Sequence, residues 1–202
     1  MAGDLPILLL AAGQSRRMRG RDKLMEPIAG QPLLRRTAER ALAAGIGPLL
    51  VTLPPPPHPR YAALTGLDLS AIAVPEAAEG LSASLRRGIE ALPLASPAVM
   101  ILLADLPDLT ANDLRIVAQS FDPTSKNMIW RGASAGIPGH PVILSRALFP
   151  ELQALVGDTG AQPVLRRHAE RMTLVPLPET HALCDLDTPE AWAAWRADHP
   201  DA

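Results

Sequence analysis

Apolar positions along the chain fall into two alternating patterns: short continuous runs, and longer stretches spaced by three and four. That ordering is what a sheet covered by helices requires. Leu5 to Ala11 reads as a buried first strand. Pro32 to Ala44 follows as an amphipathic helix with Leu33, Leu34, Ala38, Ala41 and Leu42 on one face, stopping at Gly45. Further strands are predicted at Pro48 to Leu53, Leu69 to Val74, Pro97 to Leu103, Lys126 to Trp130, Pro141 to Leu144 and Met172 to Leu177. Helices are predicted at Ser82 to Leu92, after Thr110, near Ser145 to Leu155, at Ala161 to Arg171 and at Pro189 to Trp195. Thr110 with Asp113 three positions on has the form of a capping box. Pro54 to Pro57 can supply neither sheet nor helix hydrogen bonds, and is expected to be an exposed, rigid loop.

With 202 residues, one domain spanning 1–202 is expected. Apolar residues make up 48% and charged residues 20%, ordinary globular usage, whereas 22 prolines and only 3% aromatics point to sharply punctuated loops around an aliphatic core. A net charge of −2 argues against a nucleic-acid footprint, which needs a surplus of Lys and Arg on one face. Leu5 to Ala12 is far shorter than the ~20 residues that span a bilayer, and Asp4 stands where a signal peptide carries a basic flank. The single Cys184 allows no internal disulfide and no zinc spacing. A cytoplasmic protein that binds neither membrane nor nucleic acid is therefore expected.

Positive charge is concentrated locally, with Arg16, Arg17, Arg19, Arg21 and Lys23 beside Leu10-Ala11-Ala12-Gly13 and Ser15. Small residues let backbone N–H groups approach a ligand, and such amides with Arg and Lys suit phosphate oxygens. The segment is neither a Walker A loop nor a dinucleotide fingerprint, because GxxxxGK[ST] and GxGxxG are both missing. That disfavours an NAD-dependent oxidoreductase. Asp105 ends the most continuous apolar strand, where a carboxylate can hold a metal or cap a turn before Pro107. Asp185 and Asp187 precede the last helix; Asp187 could cap it with Glu190 as its partner, or join Asp105 in a hard-oxygen site suited to Mg²⁺. Gly80, Ser82 and Ser84 open another helix, where hydroxyls and amides either bind a ribose or phosphate or serve as simple caps. His140, between Gly139 and Pro141, is expected in a defined loop, with no nucleophile arrangement around it.

Taken in order, these segments resemble the nucleotidyltransferases of the molybdenum-cofactor family, the molybdopterin guanylyl- and cytidylyltransferases, and particularly the cytidylyltransferase branch. The residues that carry the resemblance are Leu10-Ala11-Ala12-Gly13 with Ser15, Arg17, Met18, Gly20 and Lys23, then Gly30-Gln31-Pro32-Leu33-Leu34, Leu81 to Arg86, Ala104 to Pro107, Gly139 to Val142, Gly157 to Ala161, and Asp185 to Glu190. The resemblance implies a three-layer Rossmann-like fold of the nucleotide-diphospho-sugar-transferase type, a predominantly parallel mixed sheet with helices on both faces. It further implies a nucleotide-binding N-terminal half and an acceptor-binding C-terminal half. On that resemblance Lys23 and Arg17 contact phosphates and act catalytically with Asp105; Leu10 to Gly13, Ser15, Gly80, Ser82 and Ser84 line the nucleotide; Asp105 and Asp187, rather than Asp185, bind Mg²⁺; and Gly139 and His140 face the acceptor. Ala12, where guanylyltransferases tend to have glycine, tilts the donor to CTP. The implied reaction transfers CMP to a phosphorylated acceptor, molybdopterin cofactor or, in the related enzymes, methylerythritol phosphate, with a molybdoenzyme or its chaperone as a candidate protein partner. A non-catalytic nucleotide-binding protein on the same fold is the reading of another class. Arg19 separates Met18 from Gly20 where the family has Met-Gly, so a loop one residue longer is expected.

Overall fold

The computed structural model describes residues 5–200; Asp4, invoked above against a signal peptide, lies outside the described residues. The elements run β1 (Ile7–Leu10), β2 (Pro27–Ile28), β3 (Gln31–Pro32), α1 (Leu33–Ala44), β4 (Leu49–Leu53), α2 (Pro59–Ala63), β5 (Ser70–Ala73) and α3 (Leu81–Glu90). They continue with β6 (Ala98–Leu103), α4 (Ala111–Gln119), β7 (Ile129–Ser134), β8 (Ile137–Ser145), α5 (Phe149–Gln153), α6 (Gln162–Arg167), β9 (Met172–Pro176) and α7 (Pro189–Asp198). No helix among the described residues is long and apolar enough to cross a membrane.

Seven strands form one mixed sheet in the order β5-β4-β1-β6-β8-β7-β9, while β2 and β3 pair as a separate small ribbon. β1 runs parallel to β4 on one side and to β6 on the other. Its four residues are all buried, as a strand covered on both faces requires. Successive side chains point to opposite faces. Ile7 and Leu9 accordingly join the core that contains Leu34, Ala38 and Ala41 of α1 and Leu114 and Val117 of α4. Leu8 and Leu10 join the second core, with Leu85 and Ile89 of α3, Leu152 of α5 and Leu165 of α6. The result is the three-layer α/β architecture expected of a nucleotide-diphospho-sugar-transferase-like fold.

Strand order fixes the position of the cleft. From β1 the chain moves outward through β4 to β5, then crosses back to β6 on the other flank of β1. The crossovers therefore diverge between β1 and β6, and ligands in open α/β sheets sit outside the carboxyl ends of strands at such a point. Leu10 lies in register with Leu103 there.

The expected capping box at α4 is present: Asp113 N donates to Thr110 Oγ1 (3.2 Å) and Thr110 N to Asp113 Oδ2 (2.8 Å). One expectation about loops is corrected. Ile137 to Pro141, with its glycine and prolines, belongs to the nine-residue strand β8 and is not a loop. A two-residue turn, Ala135 at φ 50° and Gly136 at φ 78°, joins it to β7 with the left-handed geometry that hairpins favour. Prolines are tolerated because β8 pairs with β6 only from Val142 to Ser145, so the only strand that Ile137 to Pro141 pairs with is β7, and its other edge is free of ladder bonds.

Candidate active site

At the carboxyl ends of β1 and β6 lies a cleft of about 430 Å³. Its floor begins at Leu10, Ala12 and Gly13, where β1 gives way to the loop of residues 11–23. That loop turns through a short 3-10 segment, Arg16–Met18, with Ser15 at φ 51° and Arg19 at φ 54°. Met18 fastens it from below. Its side chain is fully buried among Ile28, Leu33 and Leu186, and the two tryptophans of α7, Trp192 and Trp195. An apolar anchor on the underside leaves Arg16, Arg17 and Lys23 to line the cleft above.

Three polar side chains meet at the centre. Lys23 Nζ forms ion pairs with both Asp105 and Asp187, and Arg17 pairs with the other oxygen of Asp187. Asp105 is delivered by the end of β6, and Asp187 by the segment before α7, which docks through Leu186 N to Asp105 O (3.1 Å). Sequence left Asp187 open between capping α7 and reaching the cleft. Thr188 is the cap, its Oγ1 accepting from Ala191 N at 3.1 Å, so the Asp187 carboxylate is free for Lys23. Glu190, the other half of the suggested capping box, instead pairs with Arg19 (2.5 Å).

Charge states follow from these contacts. Burial opposes ionisation of the Lys23 ammonium, but the charge and hydrogen bonds of Asp105 and Asp187 outweigh it and hold its pKa above the ordinary value. Burial likewise works against the Asp187 carboxylate, and is overcome by Lys23, by Arg17 and by a hydrogen bond from Asp185, leaving Asp187 below the usual carboxylate range. Asp185 moves the opposite way, raised by burial and by the neighbouring Asp187 and Asp105 charges. Within the Asp185–Asp187 pair, ionisation is thus favoured at Asp187 and opposed at Asp185. Asp105 Oδ1 is buried without a hydrogen-bond partner. An unpaired anionic oxygen in a cleft is an arrangement that a cation satisfies.

The remaining expected residues distribute as follows. Gly80, Ser15 and Ser84 line the cleft with Leu10, Ala12 and Gly13. Ala11 is buried beneath the loop, and Ser82 is fully buried, its Oγ donating to Val156 O (3.3 Å), so neither lines the cavity. The amides at the start of α3 are engaged by the loop before α6: Leu81 N donates to Asp158 Oδ1 (2.9 Å) and Ser82 N to Gly157 O (3.3 Å). Gly139 and His140 do not line the cleft; they lie where β8 has no ladder bonds to β6, and His140 N donates to Ala182 O (2.9 Å). A Cβ at Gly139 would come within 2.0 Å of that carbonyl oxygen. Burial, reinforced by the Arg131 guanidinium and opposed by the Asp105 charge, lowers the His140 pKa to about 4. Its imidazole is neutral at physiological pH.

Sequence reasoning missed Arg60 altogether, and assigned no role to Asp22, inside the loop, or to Asp158, inside the segment Gly157 to Ala161. Pro59 after His58 was the available signal for α2, since proline is favoured at the first position of a helix.

The sequence profile of the MobA-like NTP transferase domain matches residues 7–172. A search of the curated proteins finds no match. Among solved structures, Rv0371c from Mycobacterium tuberculosis H37Rv is 26% identical, superposes with a TM-score of 0.80 and covers 95% of this chain and 97% of its own; a complex of that protein with manganese matches at 24% identity and TM-score 0.79, with the same coverage of 95% and 97%. A nucleotidyl transferase from Methanothermobacter is 22% identical over 98% of both chains, with a TM-score of 0.79. The CMP:2-keto-3-deoxy-manno-octonic acid synthetase, solved with CTP, is 15% identical over 97% of this chain and 98% of its own, with a TM-score of 0.73. The profile covers most of the chain, including the loop of residues 11–23 and the strand that delivers Asp105, and the protein therefore belongs to the MobA-like NTP transferase domain family.

Proposed function

We propose that the protein is a Mg²⁺-dependent cytidylyltransferase that moves CMP from CTP to a phosphorylated acceptor, the molybdopterin cofactor, and releases pyrophosphate. The observation that carries this reading is the junction of Lys23 with Asp105 and Asp187 at the diverging ends of β1 and β6. A phosphate-binding cation beside two carboxylates suits a metal–triphosphate complex, which Mg²⁺ joins through one or two carboxylates plus phosphate oxygens. The unpartnered Asp105 Oδ1 fits the metal role.

In this reaction a phosphate oxygen of the acceptor attacks the α-phosphorus in line. The new P–O bond forms as the bond to the β-phosphate bridging oxygen breaks, and both bonding electrons leave with pyrophosphate. The chain has little covalent chemistry to perform, so its contribution is positioning and charge neutralisation. Asp105 and Asp187 would hold Mg²⁺, which when bound neutralises charge on the triphosphate and the leaving pyrophosphate. Lys23, Arg17 and Arg16 present cationic groups to the cleft, where they would grip phosphate oxygens as the triphosphate draws Lys23 away from the carboxylates. The small residues Ala12 and Gly13 let the nucleotide approach the backbone. No general base is required, because the attacking phosphate is already ionised at neutral pH. A neutral His140, on the strand edge beyond the carboxylates, is suited to hydrogen bonding with the acceptor.

CTP rests on Ala12. The test is a panel of CTP, GTP, ATP and UTP against molybdopterin and methylerythritol phosphate, with pyrophosphate detected in the presence of Mg²⁺. Molybdopterin-dependent pyrophosphate release with CTP, abolished by Asp105→Ala, is the expected outcome. Release with none of the pairs would refute a transferase acting on these acceptors, and nucleotide binding without turnover would favour a non-catalytic binding protein.

A further inference from the structure

Beneath the loop, on the side away from the carboxylates, lies Arg60, 2% exposed. A guanidinium so deeply buried must have its donors matched. Its Nε and Nη2 grip the two oxygens of Asp22 (2.8 and 2.6 Å), Nη1 donates to Ala11 O (2.6 Å), and Nη2 also reaches Ser15 Oγ (3.3 Å). Those anchors are the start, the middle and the end of the segment that carries Lys23. Ser15 is in the left-handed region, at φ 51°, which a residue with a side chain holds only where its surroundings impose it.

Lys23 is fixed through the same network. Lys23 N donates to Ser15 Oγ (3.2 Å), Ser15 Oγ donates to Asp22 Oδ1 (3.2 Å), and Leu24 N donates to Asp22 Oδ1 (3.0 Å), so the backbone on both sides of Lys23 hangs from groups that Arg60 holds. Asp22 is also occupied. Paired with Arg60, it does not compete for the Lys23 ammonium, which is left to Asp105 and Asp187.

The delivery of Arg60 gives the proline run a purpose. Pro54 to Pro57 ends at His58, whose Nδ1 accepts from Arg60 N (3.3 Å) as the cap of α2. Tyr61 Oη donates back to Pro54 O (3.0 Å), tying the short helix to the run that precedes it. Prolines restrict the backbone of this strap, so Arg60 arrives at a set depth under the loop.

We infer that Arg60 is a positioning residue of the nucleotide site, acting through Asp22, Ser15 and Ala11 to aim Lys23 and the loop amides at the β- and γ-phosphates of the donor. This rests on the donor-site reading above. A lysine at position 60 can neutralise Asp22, but its single ammonium cannot span the start, middle and end of the loop together.

The experiment compares CTP and CMP binding by calorimetry with Mg²⁺, and GTP and GMP in parallel, for the wild type, Arg60→Lys and Leu114→Ala. The last is a core variant on α4, outside both the cleft lining and the Arg60 network, that sets how much affinity follows from lost stability alone. Wild type should bind the triphosphate more tightly than the monophosphate. Arg60→Lys should weaken the triphosphate roughly 10- to 100-fold, the range spanned by hydrogen bonds to charged groups, while monophosphate affinity stays within about twofold, a split that general destabilisation does not produce. Leu114→Ala should leave both affinities unchanged below its melting temperature. If Arg60→Lys fails to fold, Asp22→Asn, which keeps the shape and removes the charge, is expected to give the same selective loss. Equal triphosphate affinity in wild type and the folded variant overturns the inference, as does equal weakening of both nucleotides. A wild type that binds none of these nucleotides overturns the donor-site reading itself, and this inference with it.

Discussion

Replacing Lys23 by methionine keeps most of the side-chain volume and removes the charge that Asp105 and Asp187 share. The side chains of Lys23, Asp105 and Asp187 are 15%, 11% and 18% exposed, so the lost attraction is only weakly screened. Removing one partner of a buried pair costs roughly 3 to 5 kcal/mol; at this partial exposure the lower end, about 3 kcal/mol, applies. For a chain of this size that is a fall in Tm of roughly 6 to 12 °C. The substitution also leaves two carboxylates facing each other around the unpartnered Asp105 Oδ1, so a divalent cation should bind the variant without displacing an ammonium. Cation at 100 times its Kd returns about 2.7 kcal/mol, nearly the whole loss.

The pH dependence has a definite sign. Asp187, depressed in the folded state, stabilises above its ordinary value of 3.8, and that contribution is lost as pH falls through its lower folded pKa. Lys23, raised in the folded state, stabilises fully below 10.5, and that contribution is lost as pH rises through its higher folded pKa. The gap between wild type and Lys23→Met should therefore be widest between pH 4 and pH 10 and narrow outside it. Thermal melts in EDTA, then across Mg²⁺ and Mn²⁺ titrations, measure all of this. A fall in Tm of less than about 2 °C, or a metal-induced gain no larger in the variant than in wild type, would show that the three side chains do not act as one energetic unit.

Asp105→Asn should retain the fold while lowering kcat about 10²- to 10³-fold, equivalent to roughly 3 to 4 kcal/mol of charge stabilisation; steady-state pyrophosphate release checks it, and near-wild-type turnover would exclude a metal role. Thr188→Ala removes the cap of α7 and should cost about 1 kcal/mol, seen in denaturant unfolding, with activity lost only if Asp187 turns to cap the helix. Gly139→Ala drives a Cβ against Ala182 O and should cost about 1 to 3 kcal/mol and raise KM for the acceptor more than for the nucleotide. His140, with a pKa of about 4, should contribute no inflection to the pH–rate profile near pH 6.5, and its imidazole resonances followed by NMR should titrate near 4; stability linked to it is present above 6.5 and declines as pH falls from there towards 4.

Which parts of this architecture could be read along the chain depends on how local their causes are. β1, β4 and β6 are continuous apolar runs whose burial on both faces needs nothing beyond their composition, and α1 and α4 announce themselves by periodicity and by the Thr110–Asp113 box. Lys23, Asp105 and Asp187 were each visible as charges beside a strand end or a helix start, but their meeting depends on strand order, which sets β1 against β6 and docks the segment before α7 across both. The choice between Thr188 and Asp187 as the cap of α7 turned on a single hydroxyl contact with Ala191 N, a difference of one residue that favourable capping chemistry at both positions could not decide. Pro141 to Leu144 was legible as a strand, but the first part of β8 was missed because glycine and proline at Gly136 to Pro141 read as a break, whereas they are compatible with a strand that lacks a ladder partner on one edge, a property of the sheet and not of the segment. Arg60 is the extreme case: in the sequence it is one arginine in a short stretch after a proline run, and only the tertiary fold shows that its donors are used up beneath the loop. A residue whose effect is exerted entirely through other residues has no local signature, so binding loops recognised from their small and cationic residues are worth examining from the underside for the group that holds them in place.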